Sequence, residues 1–441
     1  MHIQQVTVKN FRCFDDLIVN LNPDVNIFVG NNGSGKSAVL DAIAAAISPY
    51  LYEFQDIVDV RSRSKDIEET YLFQRDLQVK QEGNSSININ RIELGHVNSD
   101  MSISYSVQYF KRSTDNNNID LRLDRIDKSS IRRDINRYLQ ASSNINCFPI
   151  VAYYRGNRNL KDISDVNDFF NREFDIFDAL KNSLDATANF AEFTNWFFAR
   201  EFQELKEGKK RGDVNFELPE LKQVRKAISI IVAPNARVYF SQTNSTKLMV
   251  EWETEIGEKI ELSLSQLSSG YRNMLALVMD FSRRLAQANP EMENPLEAEA
   301  VLMIDELDLH LHPTWQQKII PDLRKVFPNT QIIATTHSPE IVTTVERHQV
   351  KILEDYQIKE CPSPTKGMKS SDIVRYVLGL ENLRPDTEES RTLTALFNAI
   401  DRGNLEEAKQ LREKLRDWEQ FDPDMTRADM QIRRLERKIT A

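Results

Sequence analysis

A glycine-rich octapeptide near the N-terminus constrains the fold of this chain more than any other feature. It consists of Gly30, Asn31, Asn32, Gly33, Ser34, Gly35, Lys36 and Ser37. The octapeptide fits the phosphate-binding pattern G-x-x-x-x-G-K-[ST] at every fixed position. The apolar run 26–29 predicts a buried strand before it, and the run 38–47 predicts a helix after it. This strand–loop–helix order predicts an α/β fold.

The composition of this loop indicates its chemistry. Glycines allow successive backbone N–H groups to turn toward phosphate oxygens, and the helix that follows from Ala38 adds partial positive charge. Lys36 can reach the β- and γ-phosphates, and the Ser37 hydroxyl can bind Mg²⁺. We therefore predict ATP and Mg²⁺ as the ligands of this loop.

The overall composition limits the class of protein. The chain has 441 residues, of which 40% are hydrophobic and 28% charged, as in an ordinary globular protein of two or three domains. It has no apolar run long enough to span a bilayer, and its three scattered cysteines do not form a disulfide framework. We expect a cytoplasmic protein without a membrane contact. With a net charge of −10, the chain as a whole should not adhere to nucleic acid.

Two further segments place candidate catalytic side chains at strand ends. The apolar run 300–304 precedes Asp305 and Glu306, and a second apolar run precedes His337. In nucleotide hydrolases a carboxylate at such a strand end holds the Mg²⁺ shell. The next carboxylate can deprotonate the attacking water. We predict that Asp305 and Ser37 are metal ligands and that Glu306 is catalytic.

The order of these motifs, together with a Ser-Ser-Gly segment at 268–270 that opens a predicted helix, resembles that of the ABC-type ATPase head. The resemblance implies that 268–270 is the signature motif, which caps a nucleotide bound to a second subunit. It further implies catalytic roles for Lys36, Glu306 and His337, and a D-loop role at the nucleotide for Asp308.

Two residues depart from the family pattern. Ser269 stands where the family usually has glycine, and Tyr271 stands where transporters have glutamine; Ser268 and Gly270 fit the pattern. The residue in the glutamine-loop role stays open between Gln74 and Gln78.

The N-terminal segment indicates which group of these ATPases the chain resembles. The residues before the phosphate loop resemble the N-terminal hairpin of RecF-like and chromosome-maintenance ATPases, which implies that Asn10, Phe11 and Arg12 contribute to the nucleotide site. The segment 305–313 is similar to the OLD-type group of prokaryotic defence ATPases. Its two histidines are expected to line the D-loop turn and the start of a helix at Pro313.

The overall layout is similar to that of the ATPase subunits of Septu-type anti-phage systems. No spaced acidic cluster of an appended nuclease domain follows the motif histidine. The likeness implies a separate HNH nuclease of the PtuB kind as the partner, a homo-oligomer built on a head-to-tail dimer, and contact with nucleic acid through the complex.

Changes in sequence pattern predict four segments. Residues 1–160 and 215–368 form the two parts of the head, and an aromatic stripe predicts a helical insert at 161–214. The charged segment 369–441 predicts a helical extension for interactions rather than a core of its own.

These observations predict an ATP-hydrolysing subunit of an anti-phage complex that regulates a partner nuclease. Two alternatives stay open at the level of sequence. One is a RecF-like DNA-repair ATPase, and the other is a non-enzymatic scaffold that bound ATP holds together.

Overall fold

A computed structural model describes residues 1–58, 85–93, 102–113, 119–126, 128–141, 150–156, 176–184, 190–241, 247–254, 256–380 and 382–440. The chain divides into two compact units, Met1–Leu378 and Gly379–Ala441. In chain order the strands are β1 (His2–Phe11), β2 (Phe14–Asn20), β3 (Val25–Gly30), β4 (Ser85–Glu93), β5 (Ser102–Ser113), β6 (Ile119–Ile126), β7 (Ile150–Tyr154), β8 (Arg237–Phe240), β9 (Leu248–Glu253), β10 (Lys259–Ser263), β11 (Ala300–Ile304), β12 (Thr330–Thr335), β13 (Val350–Glu354) and β14 (Gln357–Glu360). The helices are α1 (Lys36–Val58), α2 (Lys128–Ala141), α3 (Phe190–Arg211), α4 (Pro219–Ile231), α5 (Ser269–Ala288), α6 (Pro313–Gln316), α7 (Ile319–Val326), α8 (Pro339–Val342), α9 (Ser370–Tyr376), α10 (Glu388–Asp401), α11 (Leu405–Lys414) and α12 (Pro423–Thr440).

A six-stranded sheet in the order β14-β13-β3-β12-β11-β7 forms the centre of the first unit. Strands β13, β3, β12, β11 and β7 run parallel, and β14 pairs antiparallel at the edge. Every residue of β7, β11 and β12 is buried, as expected for parallel strands covered on both faces. The predicted α/β fold is therefore confirmed, and the ends of β3, β11 and β12 meet at one edge of the sheet.

A second sheet, antiparallel and in the order β2-β1-β4-β5-β6, is joined to the first by one buried glutamine. Gln331 of β12 accepts a hydrogen bond from the Ile3 backbone N–H and donates one to the Ile3 carbonyl, both at 2.8 Å. Two hydrogen bonds to a buried side chain fix the start of β1 at the amino end of β12.

The predicted helical insert shares its core with the head. Phe193, Trp196 and Phe197 of α3 pack in one buried cluster with residues of α4, α5 and the small sheet β10-β9-β8. The Phe197 and Phe240 rings are 6.1 Å apart, which joins α3 to β8. The aromatic stripe is therefore core, as its spacing predicts, but this core extends beyond residue 214. Three other members of the stripe, Phe169, Phe170 and Phe174, lie outside the described residues.

The C-terminal unit begins later than predicted and has its own core. Helix α9 and Val377 pack with the first unit, so the division falls after Leu378 rather than after residue 368. Helices α10, α11 and α12 enclose a separate cluster that includes Leu396, Met425 and Ala428, each fully buried. The expectation that this charged segment lacks a core is wrong, because its charges lie on the outer faces of amphipathic helices.

One buried ionic cluster connects the central sheet to α5. Asp280 binds Arg283 at 2.8 Å and Arg284 at 2.9 Å, and all three side chains are buried. Burial alone would raise the pKa of Asp280, but the charges of Arg284 and Arg283 outweigh burial and lower it. The Tyr154 hydroxyl at the end of β7 donates to the same carboxylate at 2.8 Å. The cluster thus fixes the end of β7 against α5.

We expect Tyr154→Phe to lower the free energy of unfolding by about 1.5–3 kcal/mol, the range for a hydrogen bond to a charged group. The substitution removes one hydrogen-bond donor from the buried Asp280 carboxylate and keeps the aromatic ring of residue 154. Urea titration followed by circular dichroism measures the loss. Tyr356→Phe, at a tyrosine that is 46% exposed, is the matched control. Equal losses in the two variants would contradict the structural role of the hydroxyl.

Candidate functional site

Two glycines of the phosphate-binding loop lie where no side chain fits. A Cβ atom on Gly30 would lie 2.3 Å from the Leu353 carbonyl oxygen of β13. A Cβ atom on Gly35, whose φ is +100°, would lie 2.7 Å from the Phe14 ring. The sheet and the N-terminal hairpin therefore enclose the loop closely, which explains both glycines by packing as well as by backbone freedom.

Lys36 is a buried cation. Its side chain is only 7% exposed, and its ammonium donates to the carbonyls of Gly30 at 3.0 Å and Asn31 at 2.9 Å. Lys36 is therefore not a solvated loop cation, because the carbonyls of the loop enclose its ammonium. Burial lowers the pKa of Lys36, while the carboxylates of Asp305 and its neighbours act in the opposite direction.

Asp305 joins the loop to the ends of two strands. Its Oδ1 accepts hydrogen bonds from the Ser37 hydroxyl at 3.0 Å and from the Thr335 hydroxyl at 2.6 Å. The structure thus brings together the two predicted metal ligands, Ser37 and Asp305. We call this contact the Asp305 junction. Thr335, the last residue of β12, was missed by sequence analysis because nothing in the sequence shows that β12 lies between β3 and β11.

The site residues fit Mg²⁺ and a phosphate-bearing ligand. A hydroxyl and a carboxylate oxygen in contact are the hard donors that Mg²⁺ prefers, and Mg²⁺ takes its other ligands from water and phosphate. In the part of the chain that the structure describes, no group of three His, Cys, Asp or Glu side chains could hold a metal by itself. Within the loop, the buried hydroxyl of Ser34 has no hydrogen-bond partner, as expected for a donor that a phosphate oxygen would satisfy.

Glu306 presents an exposed carboxylate beside the junction. Its φ of 51° lies in the left-handed region, and its backbone N–H donates to the Thr335 hydroxyl at 2.8 Å. A Cβ on Gly156, just after β7, would lie 2.9 Å from the Glu306 carboxylate, so the two residues are close neighbours. The left-handed backbone and the bond to Thr335 fix the base of the Glu306 side chain, and its carboxylate stays exposed.

Asp308 and His337 are held together on the next strand end. The Thr336 hydroxyl and the His337 backbone N–H both donate to Asp308 Oδ1, at 2.6 and 3.2 Å. The imidazole itself is exposed. Burial of part of the ring and the charge of Lys36 lower the pKa of His337 below 6.5. His337 is therefore neutral at pH 7 and can both donate and accept a hydrogen bond.

The Ser-Ser-Gly segment lies at the start of α5, against the turn that follows Asp308. Ser268 and Ser269 are exposed, and Gly270 is buried against His310, whose carbonyl oxygen would lie 2.1 Å from an added Cβ. The described hydrogen bonds do not connect Ser268 or Ser269 to the phosphate loop. Gly270 therefore has a packing role in its own chain, and the two serines face outward.

The two D-loop histidines have the predicted structural role. His312 is the N-cap of α6, and its ring accepts a hydrogen bond from the Thr314 backbone N–H. Pro313 is the first residue of that helix. His310 has a φ of 62°, which turns the chain before α6. The expected position of both residues at the D-loop turn is confirmed.

The N-terminal hairpin contributes a charged contact to α1 in addition to the Phe14 ring beside Gly35. Phe11 is fully buried in the core, and its expected role at the nucleotide stays a prediction. Asn10 and Arg12 flank it with φ values of 52° and 49°. Arg12 binds Asp41 of α1 at 2.6 Å, and Arg155, which follows β7, lies 3.1 Å from the other oxygen of Asp41.

Arg155 could not be found from the sequence, because only the fold places the end of β7 beside β11. Gln74 and Gln78, the two candidates for the glutamine-loop role, lie outside the described residues. Among the residues that the structure describes, none of the helices has the length and apolarity to cross a bilayer.

The phosphate-binding loop lies on a parallel sheet, and the Asp305 junction, Asp308 and His337 lie at the same edge. This arrangement defines an ABC-type P-loop ATPase head. The chain belongs to the AAA ATPase domain family, whose model matches residues 1–342.

Curated relatives add a biological context. The retron Vc95 probable ATPase of Vibrio cholerae is 28% identical over 94% of this chain and 86% of its own length. The retron Ec83 probable ATPase of Escherichia coli is 27% identical over 96% of this chain and 84% of its own length. The Septu protein PtuA of Bacillus thuringiensis is 28% identical over 44% of this chain and 50% of its own length. The expected likeness to defence ATPases is confirmed, and the retron relatives extend it to nearly the whole chain.

We expect Lys36→Ala to weaken ATP binding by about 10- to 100-fold, since hydrogen bonds to charged groups contribute about 1.5–3 kcal/mol. The ammonium donates to two loop carbonyls that water can satisfy, so the fold should persist. Calorimetric titration with ATP and the ATP-induced rise of the melting temperature measure the effect. Lys325→Ala, at a lysine that is 66% exposed, is the control. Equal ATP affinity in Lys36→Ala and the parent would exclude this role.

Proposed function

We propose that this chain is the ATP-hydrolysing subunit of an anti-phage defence complex and that its nucleotide state regulates a separate HNH-type nuclease. The Asp305 junction is the observation that carries the hydrolase part, because it places a metal-binding carboxylate between the phosphate loop and the candidate base Glu306. The retron and Septu relatives, which match long stretches of the chain, favour a defence role over DNA repair of the RecF type.

Each site residue has a distinct task in this proposal. Ser37 and Asp305 would hold Mg²⁺, which neutralises phosphate charge when it is bound. Lys36 pairs with the β- and γ-phosphates, and the loop N–H groups surround them. Glu306 orients and deprotonates the attacking water, because its carboxylate is exposed while its backbone is fixed on Thr335. Neutral His337 is available to donate a hydrogen bond to the γ-phosphate.

The complete site requires a second copy of the chain. Ser268 and Ser269 are exposed at the N-terminus of a 20-residue helix, where backbone N–H groups and the helix dipole favour an anion. In the same chain, Gly270 next to them packs on the D-loop turn rather than on the phosphate loop. We infer that they cap the nucleotide held by the phosphate loop of the partner copy.

We expect Glu306→Gln to retain ATP binding and to slow hydrolysis by about 10²–10⁴-fold, the usual contribution of a general base. The amide keeps the shape of the side chain and cannot accept a proton. Steady-state phosphate release and ATP titration separate the two effects, and Glu291→Gln, at an exposed glutamate, is the control. Absence of turnover in the parent would favour the ATP-stabilised scaffold. Unchanged turnover in Glu306→Gln would assign the base to another group.

A mixing experiment tests the shared site. Neither Lys36→Ala nor Ser268→Ala should hydrolyse ATP alone, since each removes one half of every composite site. A mixed dimer holds one intact site, so the mixture should recover about a quarter of the parental activity if subunits exchange at random. Fluorescence energy transfer between labelled subunits verifies the exchange. Exchange without recovered activity would exclude the composite site.

The regulatory part of the proposal predicts a partner that follows the nucleotide state. We expect an HNH nuclease encoded beside this chain to co-purify with it, and its cleavage of DNA to differ between ATP-bound Glu306→Gln and the nucleotide-free parent. A chain that ends at Leu378 keeps all site residues and removes the C-terminal unit, so it should bind ATP and lose the nuclease. DNA cleavage that is identical in every nucleotide state would contradict the regulation.

A further inference from the structure

The last helix of the chain distributes its charges unevenly. All three described acidic side chains of α12 are engaged by cations of other elements in the C-terminal unit. The pairs are Asp424 with Arg384 at 2.7 Å, Asp429 with Arg412 at 2.8 Å, and Glu436 with Lys409 at 2.7 Å. The carboxylates of α12 are therefore neutralised within the unit.

Three arginines of α12 have no such counter-charge. Within the described residues, Arg427, Arg434 and Arg437 are exposed and form no ion pair, whereas the charge of Arg433 acts on Asp429. The Arg427 guanidinium lies over the Phe397 ring at 5.3 Å. Arg427 and Arg434 are seven residues apart, so they share one helix face at a spacing of about 10.5 Å. We call Arg427, Met430, Arg434 and Arg437 the basic face. Its positive charge is available to a partner.

Apolar side chains lie next to these arginines. Met430 is 59% exposed between Arg427 and Arg434, and Phe421, just before α12, is 85% exposed. Together they line an open groove of about 710 Å³. Phenylalanine, methionine and arginine are the residue types enriched at protein interfaces. A phosphate backbone would leave Met430 and Phe421 without a partner, so the groove suits a protein surface better than a nucleic acid.

A surface of opposite charge lies in the same unit. Leu380 and Leu383 are 51% and 44% exposed, and the first turn of α10 presents Glu388 and Glu389 to solvent. We call these four residues the acidic segment. Arg384, next to Leu383, binds Asp422 and Asp424, which flank the start of α12. These bonds fix the chain next to Leu383 at the start of the helix that carries the basic face.

We propose that the C-terminal unit pairs with the same unit of a second copy of this chain, the basic face of each copy against the acidic segment of the other. Two patches of opposite charge on one unit can each meet the other patch of a second copy, and a two-fold axis satisfies both contacts at once. The exposed leucines, Met430 and Phe421 are then covered together. This pairing rests on the homo-oligomer of the proposed function and adds a second contact to it, one that needs no nucleotide.

Charge reversal on nucleotide-free full-length protein tests the pairing. We expect the parent to sediment at twice the 51.1 kDa of one chain. The double variants Arg427→Glu/Arg434→Glu and Glu388→Arg/Glu389→Arg should each weaken the dimer about tenfold or more, because like charges then face each other. A mixture of the two variants should dimerise again, since every contact in the mixed pair is complementary. The same reversals are also made in chains that carry Lys36→Ala, so that dimerisation driven by bound ATP does not contribute.

Control variants show whether the position of the charge matters or only its sign. Arg402→Glu/Arg416→Glu makes the same charge change elsewhere in the unit and should leave the dimer intact. Met430→Ser and Leu383→Ser test the contact without a change of charge if a reversal variant does not fold.

A parent that is monomeric without nucleotide, or a mass unaffected by both reversals, would overturn the proposal. So would a monomer whose basic face binds only the nuclease or an oligonucleotide. ATP turnover is measured separately, so failure of the pairing leaves the proposed hydrolysis standing.

Discussion

The structure of the site depends on one carboxylate oxygen. Oδ1 of Asp305 accepts from Ser37 at the start of α1 and from Thr335 at the end of β12, while its own backbone N–H donates to Tyr154 at the end of β7. Four elements that are distant in sequence are thereby fixed at one sheet edge. The Thr335 hydroxyl also accepts a hydrogen bond from the Glu306 backbone N–H, so the same contact orients the candidate base. A polar group at the end of each parallel strand is what allows chemistry at the edge of a core that is otherwise apolar.

Three carboxylates and one buried cation lie at this edge before any ligand binds. Lys36 is buried with Asp305, Glu306 and Asp308 as its nearest opposing charges, and it contributes to the lowered pKa of His337. A bound phosphate would place its negative charge beside the Lys36 ammonium and the N–H groups of the loop. The exposed Glu306 and His337 follow the ends of β11 and β12, next to this cation.

The rest of the molecule divides between packing and assembly. Helix α5 begins with the outward serines of the Ser-Ser-Gly segment and is bonded through buried Asp280 to Tyr154, so the surface offered to a second head is braced against the central sheet. The C-terminal unit has its own core and an uneven surface charge. Under the two proposals above, one chain would offer two surfaces to a second copy, one that depends on ATP and one that depends on complementary charge.

The sequence by itself determined the phosphate loop, the strand–loop–helix order, the acidic pair after β11 and the histidine after β12. These are local patterns in which the neighbouring residues specify both conformation and chemistry. Only the tertiary structure decided that Lys36 is buried, that Phe11 belongs to the core and that Thr335 reaches the site. It also decided that Arg155 pairs with Asp41 of α1 and that the last 63 residues enclose their own core. Each of these depends on contacts between segments far apart in the chain. Strand order and helix packing set those contacts, and no local pattern encodes them.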